Sequence, residues 1–158
     1  MFRQMRRKNQ ALSAEECEKI LREGTSGVIA LDGDDGYPYA VPISYVFCDH
    51  KIYFHCAKSG HKLDAIARNE KASFCVIGED HVIPEEYTTQ YKSVIVFGKI
   101  RILEDNGEKR AAIEQLALKY APDDTRENRQ KEIEQYQSAL CMLEMSIAHM
   151  SGKKRKEP

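Results

Sequence analysis

Three extended runs follow one another between residues 27 and 55 with only tight turns between them, which restricts this part of the chain to antiparallel pairing. Gly27-Val28-Ile29-Ala30-Leu31 leads through a polar turn at Asp34-Asp35-Gly36 into a long run from Tyr39 to Phe47. A second turn at Asp49-His50 then leads into Lys51-Ile52-Tyr53-Phe54-His55. Neither connection has the length of the crossover that parallel strands need. Further extended segments lie at Ala72–Ile77, Tyr91–Leu103 (with Gly98 as a bulge or bend) and Leu140–Ile147. About six strands, mostly hairpin-connected and broken by one short helix, predict a mainly β protein with helices, built as a small antiparallel barrel.

The helical segments carry their own signals. Ser13-Ala14-Glu15-Glu16 is a capping box opening an amphipathic helix through Cys17, Ile20 and Leu21 that Gly24 stops. Ser59 is placed to cap a second helix reaching Arg68-Asn69, with Leu63, Ile66 and Ala67 on its buried face. Two more helices are expected near Glu108–Tyr120 and Thr125–Ser138, split by Ala121-Pro122-Asp123. The polar stretch from Glu79 to Thr89, with Pro84 inside it, reads as a long connection. A chain of 158 residues fits one domain, taken as residues 1–150 with the N-terminal helix included; residues 151–158, holding Lys153-Lys154-Arg155-Lys156, read as a solvated basic tail.

Several function classes are excluded. A net charge of −1 with 42% hydrophobic and 31% charged residues gives neither a general nucleic-acid footprint nor a disordered chain. No apolar run approaches the ~20 residues of a membrane span, and the basic start Met1–Lys8 has no apolar run after it, so a cytoplasmic protein is expected. The five cysteines are scattered without a Cys-x-x-Cys pair and read as reduced thiols. His55, Cys56 and His61 lack a second ligand pair at metal-binding spacing, so no metal is expected. No Gly-x-Gly-x-x-Gly follows a strand, and P-loop, Gly-x-Ser-x-Gly and His-Glu-x-x-His motifs are absent.

The segment Phe54-His55-Cys56-Ala57-Lys58-Ser59-Gly60-His61-Lys62-Leu63-Asp64 puts Lys58, His61 and Lys62 at a helix start, where the helix dipole favours anions instead. A phosphate held by backbone N–H groups, the Ser59 hydroxyl and these cations would resolve the conflict. Side chains that simply point into water would also account for it.

Strand order together with three local signatures resembles the FMN-binding split-barrel superfamily of the pyridoxamine 5′-phosphate oxidases, most closely its 5-nitroimidazole-resistance-like branch. The signatures are Val41-Pro42-Ile43-Ser44-Tyr45, Tyr53-Phe54-His55 running to Gly60-His61-Lys62, and Gln90-Tyr91-Lys92-Ser93 continuing to Gly98; a closing Ser151-Gly152-Lys153 is also similar to that branch. The resemblance implies an antiparallel six-stranded split β-barrel (about six strands, as the pattern itself predicts). It also implies a homodimer with FMN at the subunit interface. In such a protein Cys56, Lys58, Ser59, Gly60, His61 and Lys62 hold the FMN phosphate. The strand Val41, Pro42, Ile43, Ser44, Tyr45 lies along the isoalloxazine ring, where a break in ladder pairing at Pro42 would free backbone groups for the ligand. Gln90 and Ser93 complete the implied cofactor set, and His55 takes an active-site position from which imidazole can donate a proton or hold an acceptor.

Two departures stand out. His61 occupies a place where relatives often carry arginine, so FMN affinity is expected to fall as pH rises. Met150 precedes Ser-Gly-Lys where an aromatic is found in other members, and the chain has no tryptophan. The resemblance implies an FMN-dependent oxidoreductase reducing a small aromatic or nitro-aromatic acceptor, with NAD(P)H as a candidate donor. The alternatives are a non-enzymatic flavin or haem binder and a pyridoxamine-phosphate oxidase.

Overall fold

Ser13 Oγ accepts the Glu16 N–H at 3.1 Å while Glu16 Oε2 accepts the Ser13 N–H at 2.8 Å, so the capping box forms and opens α1, Ala14–Glu23. The computed structural model describes residues 1–156. Its strands are β1 (Ser26–Asp32), β2 (Pro38–Ser44), β3 (Val46–Cys48), β4 (Lys51–Cys56), β5 (Lys71–Ile83), β6 (Thr88–Ile102) and β7 (Cys141–Lys154). The other helices are α2 (His61–Arg68), α3 (Asn106–Tyr120) and α4 (Arg126–Tyr136). None of the described helices is long and apolar enough to cross a membrane.

All pairings are antiparallel and make one seven-stranded sheet in the order β2-β1-β5-β6-β7-β4-β3. Its two edge strands, β2 and β3, are consecutive in the chain, with Tyr45 alone between them. The sheet must therefore curl until its edges meet at that corner, although no ladder joins them. Seven strands replace the six expected because the run from Tyr39 to Phe47 is two strands, not one. It breaks where Tyr45 turns fully inward: its hydroxyl donates to the Leu21 carbonyl at 2.6 Å, and its ring packs edge-on against Phe74.

Two other expectations are corrected. Glu79–Thr89 is not a long connection, because β5 and β6 continue as a hairpin through Ile83↔Thr88 and turn at Pro84–Glu86, with Tyr87 at φ 50°. The basic tail is, as far as Lys154, part of the sheet: Ser151 to Lys154 pair with Ile95 to Lys92. Gly98 does mark a register shift between β6 and β7, and Asp49 and His50 make the tight β3–β4 turn with φ of 50° and 60°.

The inner face of the sheet encloses the main core, including Ile29, Phe54, Phe74, Val76, Val94 and Leu143, with α1 and α2 packed against it. The outer face is divided. Over β3, β4 and the first half of β7 it is covered by α3 and α4 through Val46, Met142, Ile113, Leu116 and Ile133. Over β1, β5 and β6 no helix covers it, and it presents Val28, Ile77, Ile95 and Phe97, the last stacked on the Phe2 ring at 5.5 Å.

Candidate functional site

At the border between the covered and open halves lies a cleft of about 310 Å³ whose floor includes Ser44, His55 and Met142 and whose walls include Leu116, Tyr120 and Tyr136. Strand alternation explains the floor. In β4 Ile52 and Phe54 point into the core, so His55 points out, and in β2 Tyr39, Val41 and Ile43 point in, so Pro42 and Ser44 point out. Ser44 and His55 thus share one cleft from opposite sides of the sheet corner.

That corner is tied by Tyr120. Its hydroxyl accepts the Tyr45 N–H at 3.0 Å and donates to the carbonyls of Tyr45, at 2.9 Å, and Thr25. Tyr45, implied as a cofactor contact through the backbone of its strand, has its side chain wholly in the core, and burial first, then Tyr120, pushes its phenol pKa well above the ordinary value. Lys119 Nζ sits 4.0 Å from the Tyr45 ring centroid with no hydrogen-bond partner, and its pKa is lowered by burial. The ring face takes the place of an acceptor.

The expected phosphate loop is exposed from Ala57 to His61, with Lys62 half-buried. The helix cap is Gly60, not Ser59: Gly60 takes φ 138°, which only glycine adopts readily, and no side chain caps α2. A Cβ on Gly60 would meet nothing within 4 Å, so the space before α2 is open. Among the described residues neither Lys58 nor Lys62 is paired with a carboxylate. Lys62 is close enough to Cys56 to oppose the rise of its thiol pKa, which burial and the facing Cys141 push up to about 11. His61 is engaged differently. It stacks on Tyr39 with ring centroids 3.8 Å apart, and its Nε2 lies 3.7 Å from Asp34 Oδ2. The hydrogen bond from Arg68, and then the His61 charge, hold the Asp34 carboxyl below its usual pKa. His61 is therefore not an unpaired phosphate ligand, but its stacking brings the α2 start against β2.

The remaining implied residues divide between faces. Val41 and Ile43 pack on the core and offer a ligand only their backbone. The β1–β2 ladder runs unbroken from Ser26↔Ser44 to Asp32↔Pro38, so Pro42 makes no break; it is tolerated because β2 is an edge strand. Ser93 faces outward, opposite Ile77 on one side and Lys153 on the other. Gln90 lies further along β6 opposite His81 and, among the described residues, makes no side-chain hydrogen bond. Sequence reasoning missed the α3–α4 walls and the Asp34–Arg68–Tyr39 group around His61. The wall was signalled by Ile113, Leu116, Ala117 and Tyr120, one stripe at helical spacing.

For flavin the fit is favourable: among the described residues Lys58 and Lys62 have no carboxylate partner, Gly60 leaves open space before α2, and the α2 start is stacked through His61 on β2, an edge strand whose Pro42 and Ser44 face outward. Residues 13–154 match the family model described as pyridoxamine 5′-phosphate oxidase, and the chain belongs to that family. No curated protein matches it. Solved structures share the fold. A Bacteroides thetaiotaomicron protein provisionally described as a 5-nitroimidazole antibiotic resistance protein aligns with a TM-score of 0.78 at 19% identity, covering 91% of this chain and 86% of its own. An FAD and heme binding protein from Mycobacterium smegmatis aligns with a TM-score of 0.78 at 22% identity, covering 95% of this chain and 75% of its own. An FAD-binding protein from Mesorhizobium loti aligns with a TM-score of 0.63 at 24% identity, covering 93% and 98% respectively.

Proposed function

We propose that the protein is a homodimeric FMN-dependent oxidoreductase that reduces a small aromatic or nitro-aromatic acceptor, with NAD(P)H as donor. The observation that carries this reading is the shared cleft of Ser44 and His55, with His55 leading in the chain into a helix start whose Lys58 and Lys62, among the described residues, lack carboxylate partners. Lys58, Lys62 and the first N–H groups of α2 hold the phosphate, and the outward groups of Pro42, Ser44 and Ser93 line the ring. When bound, FMN supplies the electron transfer. His55 holds the acceptor over the cleft floor and delivers a proton to it. The open sheet face with Val28, Ile95 and Phe97 suits a second copy, whose approach would complete the cofactor site.

A second reading keeps the fold and changes the ligand. Two of the structural neighbours are named as FAD-binding, one of them as heme-binding too, which supports a flavin or haem carrier without turnover. Titration with FMN, FAD, riboflavin and haem separates these. FMN is expected to bind tighter than riboflavin, and Lys62→Ala to lose about 10- to 100-fold for FMN, from the roughly 1.5–3 kcal/mol of a charge-assisted bond, with riboflavin unchanged. Equal losses for both flavins would refute phosphate contact by Lys62.

A further inference from the structure

We infer that the α3–α4 wall makes the cleft selective for flat aromatic molecules that carry no anionic group, with a preference for those bearing a protonated amine. Its use as the acceptor site rests on the flavin reading above; the binding preference does not.

Three observations carry the inference. First, the cleft is mostly apolar, with Leu116, Ile133, Leu140 and Met142 in its lining and the rings of Tyr120 and Tyr136 on its sides. Such a lining favours a flat hydrophobic occupant, and its volume of about 310 Å³ suits one of two fused rings. Second, no lysine or arginine lines it. Of the cations near it in sequence, Lys131 and Lys58 do not line it, and three others are engaged elsewhere. Arg110 bonds Gln130 and lies 3.8 Å from Glu134, and Arg129 lies 3.9 Å from Glu114. Lys119 faces the Tyr45 ring. Third, Glu132 lines the cleft and, among the described residues, pairs with no cation. A phosphate or sulfonate entering here would lose hydration, would find no lysine or arginine but only the Ser44 hydroxyl and the His55 ring as donors, and would meet the Glu132 carboxylate. A protonated amine would meet that carboxylate and two aromatic rings. A pyridoxamine-type substrate phosphate therefore has no seat in this cleft.

The test uses the purified protein with whatever flavin it carries, and three probes of one shape: 1-naphthylmethylammonium, 1-naphthylmethanol and 1-naphthalenesulfonate. Binding is read by saturation-transfer NMR and titration, and flavin occupancy by visible absorbance in the same sample. The ammonium probe is expected to bind about three- to fivefold tighter than the alcohol, the worth of one partly exposed ion pair, and the sulfonate at least tenfold more weakly. Glu132→Gln, an exposed change, should erase the ammonium preference and leave the alcohol unchanged. Ala117→Phe should fill the cleft and abolish binding of all three. Sulfonate binding equal to that of the alcohol, or an ammonium preference that survives Glu132→Gln, overturns the inference, whether or not Ala117→Phe folds. Probe selectivity in protein that binds no flavin would instead retain the inference and remove the flavin reading.

Discussion

Replacing Tyr120 by phenylalanine removes one oxygen atom and tests how the sheet corner is held. The hydroxyl accepts one bond, from the Tyr45 N–H at 3.0 Å, and has one proton to share between the carbonyls of Tyr45 and Thr25. Two bonds are therefore made at any moment, worth about 1 kcal/mol each, and the stranded Tyr45 N–H raises the cost towards ~3 kcal/mol. A loss of about 2–3 kcal/mol corresponds to a fall in Tm of roughly 4–12 °C for a domain of this size. Urea denaturation followed by circular dichroism should show a lower midpoint with an unchanged slope. Tyr136→Phe is the control, since that exposed tyrosine lines the same cleft and makes no hydrogen bond among the described residues, and it should stay within about 0.5 kcal/mol of wild type. A loss below ~0.5 kcal/mol for Tyr120→Phe would refute the account and leave ring packing as the whole contribution.

Glu144 gives a pH dependence: burial alone would raise its pKa, but Arg101 at 3.0 Å and Lys51 at 3.3 Å outweigh that and hold it below the usual 4.5. The stability it contributes is therefore present above the ordinary carboxylate range and lost as pH falls through the lowered value. Glu144→Gln should cost about 1.5–3 kcal/mol at pH 7, since both partners are half-exposed and can rehydrate, and should unfold less steeply than wild type below pH 4.5. Gly98→Ala would drive its Cβ onto the Ser146 carbonyl oxygen, so about 3 kcal/mol or more should be lost, or soluble protein not recovered. His55→Ala should keep flavin bound while reoxidation by a nitroimidazole, normalised to bound flavin in stopped flow, slows by about 10²–10⁴-fold; an unchanged rate would remove His55 from the chemistry.

The features legible in the sequence are those decided within a few residues. The Ser13–Glu16 box, the Asp49-His50 turn and the Gly98 irregularity each follow from local bonding or a local backbone requirement, and each is present. The break at Tyr45 was not legible, because the run from Tyr39 to Phe47 keeps its β-forming composition throughout. What ends β2 is a set of bonds to Leu21 and Tyr120, the latter 75 residues away. The hairpin from Asp80 to Thr89 was hidden for the opposite reason. Its polar residues look like a loop, and only pairing with an equally exposed partner strand makes it sheet. The same division holds at the site. The cations of the α2 start can be read from spacing, whereas the Asp34 carboxylate that faces His61 comes from the other side of β2.

The Tyr45 corner also explains why one cleft forms where it does. A sheet whose edge strands are consecutive must place the end of β2 beside β3 and its hairpin partner β4, which sets Ser44 near His55 before any helix is added. The α3–α4 pair then covers the outer face only as far as that corner, because Tyr120, the last residue of α3, is bonded to it. A ligand at the border therefore meets a floor set by strand topology and a wall set by helices that the rest of the sheet does not need. Changes on the wall, such as Glu132→Gln, should alter which molecules bind without moving the floor. Changes on the far outer face, at Ile95 for example, lie outside the cleft lining and should leave that selectivity as it is.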